Sequence, residues 1–221
     1  MRRTVRPELL DSNSATDAEI RSSLKDLQFI NRWFGGVSTT RSLLQRVLRQ
    51  HPSRHLSVLD VGSATGDGLA NVQRSMNGTR LSCTLLDRSP SHFDGTARTM
   101  KAVLGDALSL PFQDDSFDVV ICSLFVHHLE PEQIQQFAHE ALRVARLAFL
   151  INDLRRSYTH LALVYAGQPL FRSRVTRHDT VASVRRAYTP SELRDILDTV
   201  PARSIEFNNS YLYRQGIIAW K

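Results

Sequence analysis

The sequence predicts an α/β fold built on a doubly wound, mostly parallel sheet, with helices before it and a hairpin at its end. Three observations indicate this class. Helical periodicity comes first, over about 16–50; short apolar runs then alternate with helical stretches over 55–155; and two strand-like runs end the chain. Alternation of this kind requires right-handed crossovers, which place helices on both faces of a parallel sheet.

Length and composition fit one globular domain. The chain has 221 residues, of which 42% are hydrophobic and 23% charged, as in ordinary folded proteins. The longest apolar run, 161–166, is far shorter than a membrane span, and the N-terminus lacks an apolar signal segment. We expect a cytoplasmic protein without a membrane span. Its single domain is predicted to consist of an N-terminal helical cap (1–50), a cofactor-binding core (55–155), an insertion or lid (156–190) and a closing helix with a hairpin (191–221).

Charge and cysteine content restrict the function classes. The 28 Lys and Arg residues against 22 Asp and Glu give a net charge of +6, which admits an anionic partner. Arginine is spread along the whole chain without a basic block, however, so a nucleic-acid partner is not favoured. Cys83 and Cys122 lie in apolar, strand-like runs and are predicted to be reduced core thiols.

Two helices are predicted before the first strand. The first has apolar side chains at helical spacing over 20–30, with Thr16 or Asp17 as its cap. The second covers about 39–49, after the pair Gly35-Gly36 that ends the first.

Five strands follow, each a short apolar run bounded by turn residues. Helices are predicted after the first strand, ending at Asn77-Gly78, and after the fourth strand, beginning at Pro131. The fourth strand is apolar throughout, as in a strand covered on both faces. The predicted strands are 56–60, 81–86, 102–104, 118–123 and 147–151.

The regular alternation ends beyond residue 155. The insertion from Tyr158 to Tyr188 begins with an apolar run that could be helix or strand. Thr189 then caps a helix at about 191–197. Strands at 205–207 and 211–220, joined by a turn at 208–210, form the predicted hairpin.

The first chemical signal follows the first strand, where ligands of open α/β sheets bind. The strand ends at Asp60 and continues into the turn 62–66, whose small residues let a ligand approach the start of a helix. A dinucleotide fingerprint would require glycine at Ala64 and Asp67, and carboxylates would repel a pyrophosphate there. The turn therefore suits an ammonium or sulfonium group; alternatively, Asp67 only caps the helix and the glycines only permit a tight turn.

Two further carboxylates end neighbouring strands. Asp87 comes about 20 residues beyond Gly66, the spacing at which an acidic residue accepts both hydroxyls of a ribose. Asp106 follows the third strand, where a carboxylate could accept the amino group of an adenine. Each alone could be a solvated turn aspartate, but the ordered set at successive strand ends is more specific.

This ordered set resembles that of the class I S-adenosylmethionine-dependent methyltransferases. Residues 115–129 are similar to the small-molecule branch that includes ubiquinone and menaquinone methyltransferases, and the likeness extends over about 55–155. It implies a Rossmann-like fold and S-adenosylmethionine as cofactor, with the methionine end at the first carboxylate and glycine turn, the ribose at the second carboxylate and the adenine at the third. The sequence departs from the pattern at Ala64, where many members have glycine. The cofactor residues implied are Asp60, Gly62, Ala64, Gly66, Asp87, Arg88, Asp106, Ala107 and Ser123.

The segment after the fourth strand is where a side chain can face the transferred methyl group. His127 or His128 could deprotonate a phenol or enol; alternatively, one caps the next helix and the other packs against it. These histidines and Cys122 lack a fourth ligand at zinc spacing, so no metal is predicted. The same segment lacks the Asn/Asp-Pro-Pro-Tyr pattern of methyltransferases that act on exocyclic base nitrogens, which argues against amino-methylation of DNA or RNA.

The acceptor itself is predicted only by class. Guanidinium groups in the insertion suit a carboxylate or enolate, although surface salt bridges explain them as well. The sequence predicts a methyltransferase acting on an oxygen or carbon of a small aromatic, quinone or polyketide-like acceptor. The alternatives are an RNA-binding protein or RNA methyltransferase, and a non-catalytic nucleoside-binding module. The acceptor-side candidates are Asn152, Asp153, Arg155 and Arg185.

Overall fold

Seven strands form one sheet in the computed structural model, which describes residues 1–10, 15–52, 55–76, 78–93, 100–208 and 213–221. The strands are β1 His55–Val61, β2 Arg80–Asp87, β3 Lys101–Leu104, β4 Phe117–Ser123, β5 Ala145–Leu154, β6 Ser204–Asn208 and β7 Arg214–Trp220. Their order is β3-β2-β1-β4-β5-β7-β6. Strands β1 to β5 are parallel, and β7 runs antiparallel to both of its neighbours. The predicted fold class is confirmed.

Seven α-helices surround this sheet in the described part of the chain. The insertion is helical, which settles the alternative left open for its apolar start. None of the described helices is long and apolar enough to cross a membrane. The helices are α1 Asp17–Trp33, α2 Gly36–Gln50, α3 Asp67–Ser75, α4 Pro131–Val144, α5 Tyr158–Gly167, α6 Arg174–Arg186 and α7 Pro190–Leu197.

The core has two halves, one on each face of the sheet. Neighbouring strand residues point to opposite faces: Val119 in β4 packs with α2 and α3, whereas Val120 packs with α4 and α7. In α4, Ile134 and Phe137 are fully buried in the second half. Burial on both faces explains why the central strands have near-continuous apolar sequences.

Helix termini follow the local chemistry of their caps. Thr16, one of the two predicted cap residues, caps α1 in a reciprocal capping box with Glu19. Helix α2 begins at Gly36, earlier than predicted, because Gly35 adopts φ 86° and turns the chain directly into the helix. Gly66 caps α3, so Asp67 is its first helical residue. Asn77 and residues 209–212, which include most of the predicted hairpin turn, lie outside the described residues.

The carboxyl ends of the parallel strands meet along one edge of the sheet and position the candidate site. Strand β5 extends to Leu154 instead of ending near Ile151, because β7 pairs with it along its whole second half. Between β4 and α4, residues Val126–His128 form a short 3-10 helix, which brings both histidines to this edge.

Candidate active site

A cavity of about 770 Å³ lies at this edge of the sheet. Its walls include the N-terminal segment, α1, α5 and α6, and its volume lies within the range of about 300–1,000 Å³ typical of small-molecule sites. Every predicted cofactor residue lines it except Gly66. His127, His128 and Asn152 also line the cavity. The predicted cofactor residues in the lining are Asp60, Gly62, Ala64, Asp87, Arg88, Asp106, Ala107 and Ser123.

The turn after β1 requires glycine at residue 62. Gly62 has φ +68°, and its N–H donates a hydrogen bond to Leu86 O at 2.9 Å. A Cβ atom at this residue would lie 2.5 Å from Cδ2 of Phe125. The ring of Phe125, which also lines the cavity, thus packs directly on the glycine.

Gly66, the second glycine of the turn, packs against the sheet. Its φ is +72°, and a Cβ atom would meet the Leu85 side chain at 2.5 Å, on the sheet side of the turn. Gly66 does not line the cavity, so packing on β2 is enough to require glycine here, and its contact with a cofactor stays a prediction.

Ala64, the departure from the family pattern, occupies a left-handed conformation with φ +46°. Its N–H donates a hydrogen bond to Asp87 Oδ2 at 3.1 Å, which holds the turn against β2. For an L-residue, the left-handed backbone conformation costs about 1–2 kcal/mol relative to the right-handed helical conformation. The turn is therefore strained at a residue where glycine would be relaxed.

We expect Ala64→Gly to raise the free energy of unfolding by about 0.5–1 kcal/mol, because relief of strain exceeds the added entropy of the unfolded chain. Urea unfolding would measure the change. Ala70→Gly in the interior of α3 is the control and should lower stability by about 1 kcal/mol. Loss of stability in both variants would contradict the strain at Ala64.

Asp60 and Asp87 are both buried residues of the predicted cofactor site, each 7% exposed. Burial, followed by the nearby charge of Asp87, raises the pKa of Asp60 to about 7. Asp87 accepts hydrogen bonds from the N–H groups of Ala64 and Ser89. Asp106 is exposed and accepts the N–H of Leu108 at 2.9 Å. This end of the cavity therefore favours a cation.

Asn152, at the end of β5, is fully buried and joins the sheet to α2. Its Nδ2 donates to Gly36 O and to Thr40 Oγ1, both at 2.9 Å. Thr40 in turn lies 3.4 Å from Ser123 Oγ. Among the described residues, Asn152 Oδ1 has no hydrogen-bond partner, so an acceptor remains in a residue that lines the cavity.

His127 lies between two carboxylates and is 3% exposed. Its Nδ1 is 2.7 Å from Asp153 Oδ1, and its Nε2 is 3.5 Å from Glu8 Oε1. Burial alone would lower the pKa of His127, but the charges of Asp153 and Glu8 raise it to about 10. A ring protonated at neutral pH is unsuited to the predicted role of general base. His128 Nε2 lies 3.8 Å from Glu8 Oε1.

Three predicted acceptor-side residues lie outside the cavity lining. Asp153 is buried beneath His127 and accepts its backbone N–H as well as its ring. Arg155 forms a backbone hydrogen bond to Tyr213 O, and the Arg185 guanidinium reaches the Tyr165 hydroxyl at 3.2 Å. Of the four predicted acceptor-side residues only Asn152 lines the cavity, and contact of the other three with an acceptor stays a prediction.

Sequence reasoning also missed polar residues that line the cavity. Glu8 is the most consequential, because it approaches both His127 and His128, and no local sequence pattern indicates this contact. Its segment is fixed by long-range contacts, since the Asp179 carboxylate accepts the N–H groups of Leu9 and Leu10. The other missed lining residues include Gln28, Asn31, Thr40 and Asp179.

Comparison with known proteins agrees with this arrangement. Residues 58–147 match a family model described as a methyltransferase domain. The chain is 32% identical over 177 residues to a tRNA (carboxymethyluridine(34)-5-O)-methyltransferase of Xenopus tropicalis. The match covers 76% of this chain but only 26% of that protein, so the chain spans about a quarter of the length of this curated relative.

Solved structures share the fold at low identity. An S-adenosylmethionine-dependent methyltransferase of Aquifex aeolicus superposes with a TM-score of 0.57 at 17% identity, over 80% of this chain and 88% of that one. The plantazolicin methyltransferase BamL, solved with a triazolic desmethylPZN analog and SAH, gives 0.65 at 14% identity, over 87% and 71%. The chain thus has the fold of S-adenosylmethionine-dependent methyltransferases, and its residues 58–147 match the model of a methyltransferase domain.

Proposed function

We propose that this chain is a cytoplasmic methyltransferase that transfers a methyl group from S-adenosylmethionine to an oxygen or carbon of a small organic acceptor. The observation that carries the proposal is that one cavity contains both parts of such a site. Its acidic end holds Asp60, Asp87 and Asp106, and the rest of its lining includes His128 and apolar side chains such as Leu27.

The acidic end fits a nucleoside that carries positive charge. Asp60 and Asp87 are buried carboxylates in mutual repulsion, which a sulfonium or ammonium group would relieve. We assign the methionine end to Asp60 and the turn, the ribose to Asp87 and the adenine to Asp106 and Ala107, in the order of the strands.

Methyl transfer requires that the acceptor atom be aligned with the methyl group and that water be excluded. S-adenosylmethionine supplies a methyl group on a positively charged sulfur, which departs neutral. The acceptor atom bonds to the methyl carbon while the carbon–sulfur bond breaks and its electron pair goes to sulfur. Residues of the walls, such as Leu27, Val164 and Phe171, would orient an apolar acceptor and keep water out.

An oxygen acceptor must also lose a proton, and His128 suits this step better than His127. His127 carries a proton at neutral pH, whereas His128 is only half-buried and also lines the cavity. We therefore assign proton acceptance to His128 and a positioning role to His127.

Cofactor affinity is expected to depend on pH through Asp60. The carboxylate is neutral below its pKa of about 7 and negatively charged above it, so a cationic ligand binds the high-pH form. Affinity for S-adenosylmethionine at pH 6 should be about tenfold weaker than at pH 8. The thiols of Cys83 and Cys122 do not titrate in this window, because burial raises the pKa of both.

Calorimetric titration at both pH values would measure this dependence. Asp60→Asn should bind weakly with little pH dependence, and Asp106→Asn is the control that should retain it. Equal affinity of the unaltered chain at both pH values would contradict the assignment of the cationic end to Asp60.

Asp87→Ala should weaken S-adenosylmethionine binding at least tenfold, because hydrogen bonds to a charged acceptor contribute about 1.5–3 kcal/mol. The variant also loses the hydrogen bond from Ala64 N–H, so Asp87→Asn is the control for turn structure. Asn keeps an acceptor for that N–H but lacks the charge, and we expect intermediate affinity. A folded Asp87→Ala chain with unchanged affinity would refute the ribose assignment.

A second candidate, methylation of a nucleotide in tRNA, is favoured by the 32% identity to the Xenopus tropicalis enzyme and by the net charge of +6. Incubation with methyl-labelled S-adenosylmethionine separates the candidates, with a small-molecule extract in one arm and total tRNA in the other. The main proposal expects label in low-mass product only. Label confined to tRNA would support the second candidate, and cofactor binding without transfer to either would indicate a non-catalytic nucleoside-binding module.

A further inference from the structure

Three side chains beside the acceptor end of the cavity have the geometry of a metal site. Glu8 Oε1 lies 3.5 Å from His127 Nε2 and 3.8 Å from His128 Nε2. One ligand atom from each of the three lies within 4.8 Å of the others. Nitrogen and oxygen atoms bound to one ion at about 2.1 Å are separated by roughly 3.0–3.4 Å, so small side-chain rotations would complete the site.

The supporting contacts are those of a built site. Metal-binding histidines commonly donate their second ring N–H to a carboxylate, which directs the other nitrogen at the ion. Asp153 Oδ1 lies 2.7 Å from His127 Nδ1 and could accept that proton. Ser183 Oγ donates to Glu8 Oε1 at 2.7 Å and orients the carboxylate. Glu8, His127 and Asp153 are each less than 9% exposed, unlike a surface cluster.

We propose that Glu8, His127 and His128 bind a divalent transition-metal ion such as Zn²⁺ or Co²⁺. Two imidazoles and one carboxylate are a common ligand set for such ions when a coordination position stays open for water or substrate. All three residues line the cavity, so the open position faces the space for the acceptor.

The ion would take the place of the proton on His127 Nε2, because a ligating imidazole nitrogen carries no proton. Glu8 belongs to the N-terminal segment, whereas the histidines follow β4, so the ion would fasten that segment across the cavity. The sequence predicted no metal because Cys122 and the two histidines lack a fourth ligand at zinc spacing, whereas the cluster joins the histidines to Glu8, more than 100 residues earlier in the chain.

The role of the ion rests on the proposed function. Bound between the histidines and the acceptor, it would hold an acceptor oxygen and favour loss of its proton, a role that His128 alone would otherwise have. Metal binding itself does not depend on methyl transfer and can be measured without cofactor or acceptor. Failure of one hypothesis is thus distinguishable from failure of the other.

The test is calorimetric titration of the EDTA-treated full chain with ZnCl₂, together with the visible absorption spectrum of the Co²⁺ form. We expect one ion per chain with micromolar or tighter affinity. Glu8→Gln and His128→Gln should each weaken Zn²⁺ binding at least tenfold and alter the Co²⁺ spectrum. His139→Gln is the matched control, because His139 is exposed on α4 away from the cluster, and it should change neither.

Circular dichroism would verify folding of each variant, and either ligand variant suffices if the other unfolds. Absence of binding at one ion per chain would overturn the proposal and leave His127 as the partner of two carboxylates only. Unchanged Zn²⁺ affinity in a folded Glu8→Gln or His128→Gln chain would overturn it equally, because the ion would then bind elsewhere.

Discussion

Replacing Gly66 by alanine should destabilise the folded chain by about 2–5 kcal/mol, whereas the same change at Gly68, two residues away, should not. Gly66 has φ +72°, where an L-residue costs about 1–2 kcal/mol. The new Cβ atom would lie 2.5 Å from Leu85 Cδ1, and Leu85 is fully buried in β2. Overpacking of this kind adds about 1–3 kcal/mol.

Gly68 provides a control in the same turn of chain. It lies inside α3, and a Cβ atom there would meet nothing within 4 Å. Alanine is preferred over glycine in a helix by up to about 1 kcal/mol, so Gly68→Ala should be neutral or stabilising. Equilibrium unfolding in urea would measure both variants, and equal destabilisation would mean that neither φ nor the Leu85 contact controls the turn.

The fold was largely predictable because its signals are local. Each central strand is a buried apolar run between turn residues, and Thr16 and Thr189 carry the side chains that cap helices. Prediction failed where distant pairing extends an element. Strand β5 continues through the polar pair Asn152 and Asp153 because Gly216 and Gln215 of β7 pair with them, and no local pattern contains that information.

The candidate site divides in the same way. The ends of parallel strands share one edge of the sheet, so the sequence sufficed to predict that Asp60, Asp87 and Asp106 line one cavity. It could not predict that Glu8 meets His127, because that contact depends on how the N-terminal segment crosses α6. Nor could it tell whether Asp153 points into the cavity or beneath it.

The position of Asp153 beneath the cavity leads to the second large effect. We expect Asp153→Ala, in the metal-free chain, to lower the free energy of unfolding by about 3–5 kcal/mol. The side chains of Asp153 and His127 are each 3% exposed and lie 2.7 Å apart at their closest polar atoms. Removing the carboxylate would leave a buried, protonated ring without its nearest counter-charge.

Arg214 increases the loss of stability that we expect for Asp153→Ala. It is 2% exposed, burial lowers its pKa to about 10, and the charge of Asp153 opposes that shift. Its guanidinium donates to Asn31 Oδ1, while Nη1 has no hydrogen-bond partner among the described residues. Without Asp153, Arg214 would lose the negative charge that acts on it and His127 would keep only Glu8, so the loss of stability should exceed that of one broken hydrogen bond.

Two control variants separate this effect from the general loss of an acidic side chain. Asp114 pairs with Arg143 at 2.8 Å but is 72% exposed, so Asp114→Ala should cost less than about 1 kcal/mol. Asp153→Asn keeps an acceptor for the His127 ring and should fall between the two. If chemical unfolding gave similar losses for Asp153→Ala and Asp114→Ala, Asp153 would not stabilise buried charge, and its role in orienting His127 toward Glu8 would fail with it.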